Sequence, residues 1–350
     1  MTDDILIRRE GRAGRITLNR PGALNALTWE MCRAIDAALR DWAADDAVAL
    51  VLIDGAGERA FCAGGDIAEM YRTGTEGDYD YGRRFWADEY RMNARLAEFA
   101  KPVVSFLHGF TMGGGVGVGC HVSHRIVDES AKIAMPECGI GLVPDVGGSL
   151  LLSRAPGRLG EHLGLTGARM RAGDAIHAGF ADRFVPGDGW QALKAELCLT
   201  GDVTAIDGVA EAPPESALAA RQAEIDALFA GETLDAIVAA LRAAESELAR
   251  DALEAVERNA PLSMGCTLEM LRRLRPGGTI RDALAQEYRF TYRSMAHGDF
   301  LEGIRAAIID KDKSPRWRHT LDGLAQEDVA RMLAPLEEAA LDFGEEEAQP

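Results

Sequence analysis

The chain has 350 residues, 47% of them hydrophobic and 27% charged, a globular composition with length for one large domain or two smaller ones. Its formal net charge is −18 and its isoelectric point about 4.9, so it has no basic footprint for nucleic acid and an anionic membrane surface repels it. No apolar run approaches the roughly 18 residues of a membrane span. The opening "MTDDILIRREGRAGR" has acids where a signal peptide needs a basic start, and no apolar core follows. Six cysteines (Cys32, Cys62, Cys120, Cys138, Cys198 and Cys266) are scattered without a CxxC, the usage of a reducing compartment. Cytoplasm is the expected location.

Along the chain, "GRITLNRP" (14–21) alternates like a short strand and stops at Pro21. Thr28 then caps a helical pattern with Met31, Ile35, Ala38, Leu39 and Trp42 on one face. "VALVLIDGAG" (48–57) reads as a buried strand. "FCAGGDIAEM" turns the chain into a helix that Asp66 is expected to cap. "KPVVSFLHG" is another buried strand, "TMGGGVGVGCHVSH" opens a glycine-rich helix, and "RIVDES" and "KIAMPE" are short strands. "GGSLLLSRAPG" starts a further helix, and "ADRFVPGDG" closes this part near residue 190. Residues 1–200 therefore alternate strand and helix, the mark of α/β layers. "GDVTAIDGVAEAPPES" (201–216) reads as a linker or surface loop, and 217–297 is helical in period almost throughout. "GEEEAQP" is an acidic tail without a folding pattern. The expected organisation is an α/β core over 1–200 and a helical region over 201–350.

Three stretches could carry chemistry. "AMPECGIGLVPDVGGS" (134–149) places Glu137 and Asp145 among prolines and glycines, in a segment that can be neither a clean helix nor a clean strand. It reads as a shaped loop, the usual seat of catalytic groups, against the plainer reading of two solvated acids in a turn. "GGGVGVGC" fails as a phosphate loop: no GK[ST] follows and no GxGxxG is in register. Its glycines can instead expose N–H groups at a helix start or let another element pack closely. "AFCAGGDI" (60–67) could expose a second N–H at Gly65, against the plainer reading of an ordinary strand–turn–helix junction. Two such donors on separate loops, aimed at one point, make an oxyanion hole.

"NRPGALNAL", "AFCAGGDI", "GFTMGGGVG" and "MPECGIGLVPDVGG" together resemble the crotonase, or enoyl-CoA hydratase/isomerase, superfamily, in order over residues 12–200. The resemblance implies a spiral of ββα units followed by a helical C-terminal region. It also implies an oxyanion hole for an acyl-CoA thioester carbonyl, with the N–H groups of Gly65 and Gly114 as donors. Leu24, Ala63, Gly64, Asp66 and Ile67 would line the pantetheine and adenine side. Hydratases of the superfamily carry two glutamates. One matches Glu137 here, but the other falls at Gly117, which has no side chain. "MPECGIGLVPDVGG" and the C-terminal "NAPLSMGCTLEMLRR", "EYRFTYRSMAHGDFLEGIRAAIIDKDKSPRW" and "EDVARM" look like the branch that hydrolyses 3-hydroxyisobutyryl-CoA, a reaction of valine catabolism, with Glu137 and Asp145 as its acidic pair. The partner so implied is an acyl-CoA substrate, with CoA arriving as part of it, no separate cofactor, no metal, and a possible homo-oligomer. Hydration or double-bond isomerisation of another acyl-CoA, or acyl-CoA binding without catalysis, are the competing readings; the glycine at 117 speaks against hydration, while isomerisation can run on a single base.

Other candidates are weaker. His121 and His124 are three apart, but no further metal ligand is in view. Cys138, beside Glu137, has no histidine placed to activate it and reads as a packed small hydrophobe. "KDKSPRWR" (311–318) is basic in an acidic protein and could meet CoA phosphates or be a solvated turn.

Overall fold

The computed structural model describes residues 3–275 and 277–344; beyond Gly344 the acidic tail lies outside the described residues. An antiparallel hairpin of β1 (Ile5–Glu10) and β2 (Ala13–Leu18) opens the fold. β1 has no counterpart in the sequence reading. It is an edge strand with only Ile5 fully buried, so it shows little apolar alternation.

The chain then sends one strand to a large sheet and the next to a small one, three times over. These pairs are β3 (Leu50–Gly55) with β4 (Ala60–Cys62), β5 (Val103–Leu107) with β6 (Phe110–Met112), and β7 (His124–Val127) with β8 (Lys132–Ala134). With β9 (Arg183–Phe184) they build a six-stranded sheet in the order β1-β2-β3-β5-β7-β9 and a three-stranded sheet in the order β4-β6-β8. All pairings after the first hairpin are parallel. β5 is buried along its whole length and β3 over all but its last residue, which is why both read as buried strands. The two sheets advancing in step are the spiral of ββα units that the sequence resemblance implied.

Helices α1 (Trp29–Ala43), α2 (Ala68–Thr75), α3 (Asp80–Ala97), α4 (Gly114–Gly119) and α5 (Gly148–Arg154) fill the turns. The Thr28 hydroxyl accepts the Met31 N–H at 3.2 Å, and the predicted face of α1 is buried. Asp66, by contrast, does not cap α2. The helix begins two residues later without a side-chain cap, and Asp66 pairs with Arg20 at 3.0 Å. A guanidinium competes well for a carboxylate against partial charges at a helix end. α3 is absent from the sequence reading.

The helices Pro261–Leu274 and Ile280–His297 pack on α5 and α3. One apolar core runs from Ile16 and Phe61 of the sheets through Tyr90 of α3 to Phe290 and Leu333. The polar stretch 201–216 runs between these regions with a short 3-10 turn (Val203–Ile206) and one bridge, Phe184 to Glu211.

Asn25 ties the turn after β2 to the β3–β4 connection. It is fully buried with φ of 56°, accepts the Arg20 N–H at 2.9 Å, and donates to the carbonyls of Ala56 and Ala60 at 2.9 and 2.8 Å. Asn25→Ala leaves those groups unpaired and is expected to cost about 2–3 kcal/mol. The check is a lower urea midpoint at unchanged slope.

Candidate active site

β4, β6 and β8 lie side by side in parallel, so the chain leaves their C-terminal ends at three neighbouring points. The exit from β4 carries residues 63–67, that from β6 carries Gly113 and the start of α4, and that from β8 carries Glu137. Gly113 has φ of 48° and ψ of −122°, a conformation closed to residues with a Cβ. A Cβ there would lie 3.1 Å from Glu137 Oε1 and 3.5 Å from Gly64 Cα, and one on Gly114 would lie 3.5 Å from the Gly65 nitrogen. The structure thus brings together Gly65, Gly114 and Glu137.

Leu27 donates to the Gly64 carbonyl at 2.9 Å and accepts from the Asp66 N–H at 2.7 Å. This parallel bridge leaves the Gly65 N–H facing away from Leu27, and Gly114 opens α4 with its N–H outside the helical ladder. Among the described residues neither N–H donates to a protein acceptor.

The expected substrate-side residues form one strip beside Gly65. Ala63 donates to the Leu24 carbonyl at 3.0 Å, and Leu24, itself left-handed at φ of 52°, follows the Arg20 that holds Asp66. Leu24 and Ala63, Gly64, Asp66 and Ile67 are all half-buried. The glycines of α4 also pack closely, as the competing reading has it: a Cβ on Gly115 would meet the Cys62 carbonyl oxygen at 2.2 Å.

Neither acid of the 134–149 loop is solvated. Glu137 and Asp145 are each 4% exposed. Burial, and then the charge of Asp145, push Glu137 well above the usual carboxylate range. Burial raises Asp145 to about 7 against the Tyr90 hydroxyl, which donates to Asp145 Oδ2 at 2.7 Å. Glu137 Oε2 is buried with no partner among the described residues. Unpaired buried polar atoms are rare in native interiors, and a water, a ligand or a catalytic role can each account for one.

The sequence reading missed the rest of this cluster. Glu89, Tyr90 and Asn93 come from α3 and are buried. Burial, followed by the charge of Asp145, raises Glu89 strongly, and its Oε1 and Asn93 Oδ1 are also buried and unpaired. A Cβ on Gly114 would lie 2.9 Å from Glu89 Oε1. The available signal is spacing: Glu89 and Asn93 are four apart on a helix face otherwise made of Phe85, Trp86, Met92 and Leu96. Glu287, on the helix Ile280–His297, is a further buried acid beside Asp145, raised by burial to about 8.

Gly117 has no room for an acid. A Cβ there would meet Asn93 Nδ2 and Val146 Cβ, each at 2.7 Å. Cys138 packs as expected, its buried thiol pushed up to about 12 and set 3.5 Å from the Thr267 hydroxyl. His121 is half-buried, and desolvation lowers its imidazole to about 4, while His124 meets the Ser123 hydroxyl at 2.9 Å. Among the described residues no group of three or more His, Cys, Asp or Glu is arranged to hold a metal. No helix among them is long and apolar enough to cross a membrane. "KDKSPRWR" is an exposed turn pinned to its neighbours: the Arg316 and Arg318 N–H groups meet Glu302 at 2.7 Å and Asp299 at 2.9 Å, and Trp317 donates to the Arg258 carbonyl at 2.9 Å.

Known proteins share this arrangement's sequence and fold. The family profile described as enoyl-CoA hydratase/isomerase matches residues 13–333. The chain is 36% identical to the mitochondrial 3-hydroxyisobutyryl-CoA hydrolase of Gallus gallus over 95% of its own length and 89% of that protein's. It is 37% identical to that of Danio rerio, over 97% and 91% respectively. A crystal structure described as an enoyl-CoA hydratase from Rhodobacter sphaeroides 2.4.1 superposes with a TM-score of 0.95 at 60% identity, covering 97% of this chain and all of that one. With the profile spanning most of its length and relatives aligned nearly end to end, this chain belongs to the enoyl-CoA hydratase/isomerase, or crotonase, family.

Proposed function

We propose that the protein hydrolyses a short β-hydroxyacyl-CoA thioester, with 3-hydroxyisobutyryl-CoA giving 3-hydroxyisobutyrate and CoA. The observation that carries this reading is at Gly117, where Asn93 and Val146 fill the place in which hydratases of the family keep their second glutamate. The hydrolase relatives agree in name along the length of the chain. In this reading the N–H groups of Gly65 and Gly114 donate to the thioester oxygen and hold the negative charge that develops there. Glu137 either attacks the carbonyl, expelling the CoA thiolate and leaving a mixed anhydride for water to open, or takes a proton from the attacking water. Tyr90 occupies one oxygen of Asp145, and the other takes the substrate hydroxyl. Glu89, held protonated beside Gly114, is placed to supply the proton that the departing thiolate needs. The reaction draws on the chain, water and the substrate's own CoA. In heavy-oxygen water, a single turnover that labels the Glu137 carboxylate identifies attack by Glu137 and excludes a pure general base.

The second reading is hydration, with Glu89 entering from α3 as the second acid in place of a residue at 117. The two readings part on a thioester panel. The expected result is rapid release of free thiol from 3-hydroxyisobutyryl-CoA and slow hydration of crotonyl-CoA. Fast hydration with negligible thiol release would overturn the hydrolase assignment.

The donor at Gly114 is tested by Gly114→Ala. Its methyl would crowd Glu89 and Leu27 and shift the N–H from its position beside Gly65. Loss of one such donor costs about 2.7–4 kcal/mol, so kcat is expected to fall about a hundredfold or more in a folded variant. The acids are tested by pH. An ionised Glu137 is required, and its raised pKa puts the acidic limb of kcat/KM above the ordinary carboxylate range. Asp145→Asn removes a negative charge that raises Glu137, so that limb should move to lower pH. It should also lose more activity on β-hydroxyacyl than on plain acyl thioesters. Glu137→Gln should remove turnover on both.

A further inference from the structure

The loop that presents Asp145 is held from outside the α/β spiral. Val146 has φ of 53° and Gly147 φ of 82°, two successive left-handed residues, the first of them β-branched. Such a backbone persists only where its surroundings over-determine it. The Gly148 N–H closes a turn on the Asp145 carbonyl at 2.7 Å, but that turn does not account for the N–H groups of Gly147 and Ser149. Both donate to the carboxylate of Glu287, at 2.8 and 3.1 Å, and the Ser149 hydroxyl donates to it as well. Glu287 is completely buried on the helix Ile280–His297, about 140 residues along the chain from the groups it binds. The same helix presses Ile280 against Gly147, where a Cβ would lie 2.5 Å from Ile280 Cδ1 and 2.6 Å from His121 Nε2.

We infer that Glu287 is a positioning residue for the reaction: by accepting three hydrogen bonds from the 147–149 turn it fixes the strained backbone at Val146 and so sets where Asp145 presents its carboxylate to the substrate hydroxyl. The C-terminal helical region thereby completes the substrate-recognising part of the site. Among the described residues no cation contacts Glu287; a buried carboxylate so placed is costly, and a neutral core side chain would pack there at lower cost if packing were the only requirement. Three donors converging on the two oxygens account for the acid. A glutamine cannot replace it, because its amide nitrogen would face either the Gly147 or the Ser149 N–H, donor against donor.

This inference rests on the hydrolase reading and on Asp145 binding the substrate hydroxyl. Both are checked first, in the unaltered protein and in Asp145→Asn, by comparing thiol release from 3-hydroxyisobutyryl-CoA and isobutyryl-CoA. If the unaltered protein shows no preference for the hydroxylated thioester, or Asp145→Asn keeps that preference, the reading of Asp145 falls and the inference with it. If the preference is present and lost in Asp145→Asn, Glu287→Gln decides the inference. The expected result is a drop of about tenfold or more in kcat/KM on 3-hydroxyisobutyryl-CoA, a much smaller one on isobutyryl-CoA, and no further loss of preference when combined with Asp145→Asn. Amide exchange at Gly147 and Ser149 should quicken while the sheet amides stay protected. Equal losses on both substrates, or a preference kept at its original value, would overturn it. Ser149→Ala removes one of the three bonds and leaves Glu287 in place. It should shift the preference in the same direction by a smaller factor, and it serves if Glu287→Gln does not fold.

Discussion

Everything in this site depends on the parallel pairing of three very short strands. β4, β6 and β8 supply only a few residues each, yet their hydrogen bonds fix three chain exits at adjacent strand spacings, about 4.8 Å apart. Gly65, Gly114 and Glu137 follow those exits. Two backbone donors and a carboxylate are thereby aimed at one region without any long side chain having to reach for it. The central strands β3 and β5 of the large sheet are buried, and its strands advance in the same order as those of the small one.

That placement determines the electrostatics. The exits open inward, under α3 and the C-terminal helices, so Glu89, Glu137, Asp145 and Glu287 are all removed from water. Burial raises all four, and the charge of Asp145 raises the other three further. Carboxyl groups this close cannot all ionise together, and separating them into proton-bearing and proton-free members is how one pocket provides both an acid and a base. The hydrogen bonds draw a different line. Tyr90 and the 147–149 turn donate to Asp145 and Glu287, whereas an oxygen of Glu89 and one of Glu137 remain unpaired.

The C-terminal helices do more than cover this cluster. Gly141 lies against Asp299, and Gly303 against the Ile140 carbonyl, so closely that a Cβ at either glycine would fall within 2.5 Å of backbone atoms. Asn259 reaches back to the Leu165 carbonyl at 2.7 Å, and Ala260 donates to the Cys138 carbonyl at 2.9 Å. The loop bearing Glu137 and Asp145 has turn bonds of its own, such as Leu142 to the Glu137 carbonyl at 3.0 Å, and the contacts of Asp299, Gly303 and Ala260 add to them from distant parts of the chain.

Local patterns in the sequence determined most of the architecture. The apolar runs of β3 and β5, the Thr28 cap and the glycines at 113–117 depend on neighbours within a few residues, and their physics is visible in a short window. Glu137, Asp145 and Gly65 stood out as candidates for the same reason, each lying in a loop whose glycines and prolines announce a special backbone, whereas Gly114 was singled out only by the family resemblance. Other features were decided only by the tertiary structure. β1 earns its place by pairing with β2, not by its own pattern. Asp66 chooses Arg20, 46 residues away, over the helix beside it. Glu89 and Glu287 sit on helices where an acid normally reads as a solvated face, and what makes them otherwise is the arrival of partners from remote segments: Gly114 beside the first, Gly147 and Ser149 on the second. Whether a carboxylate meets water or a pocket is a property of the packed chain, because the desolvation that raises its pKa exists only once the surrounding elements have closed over it.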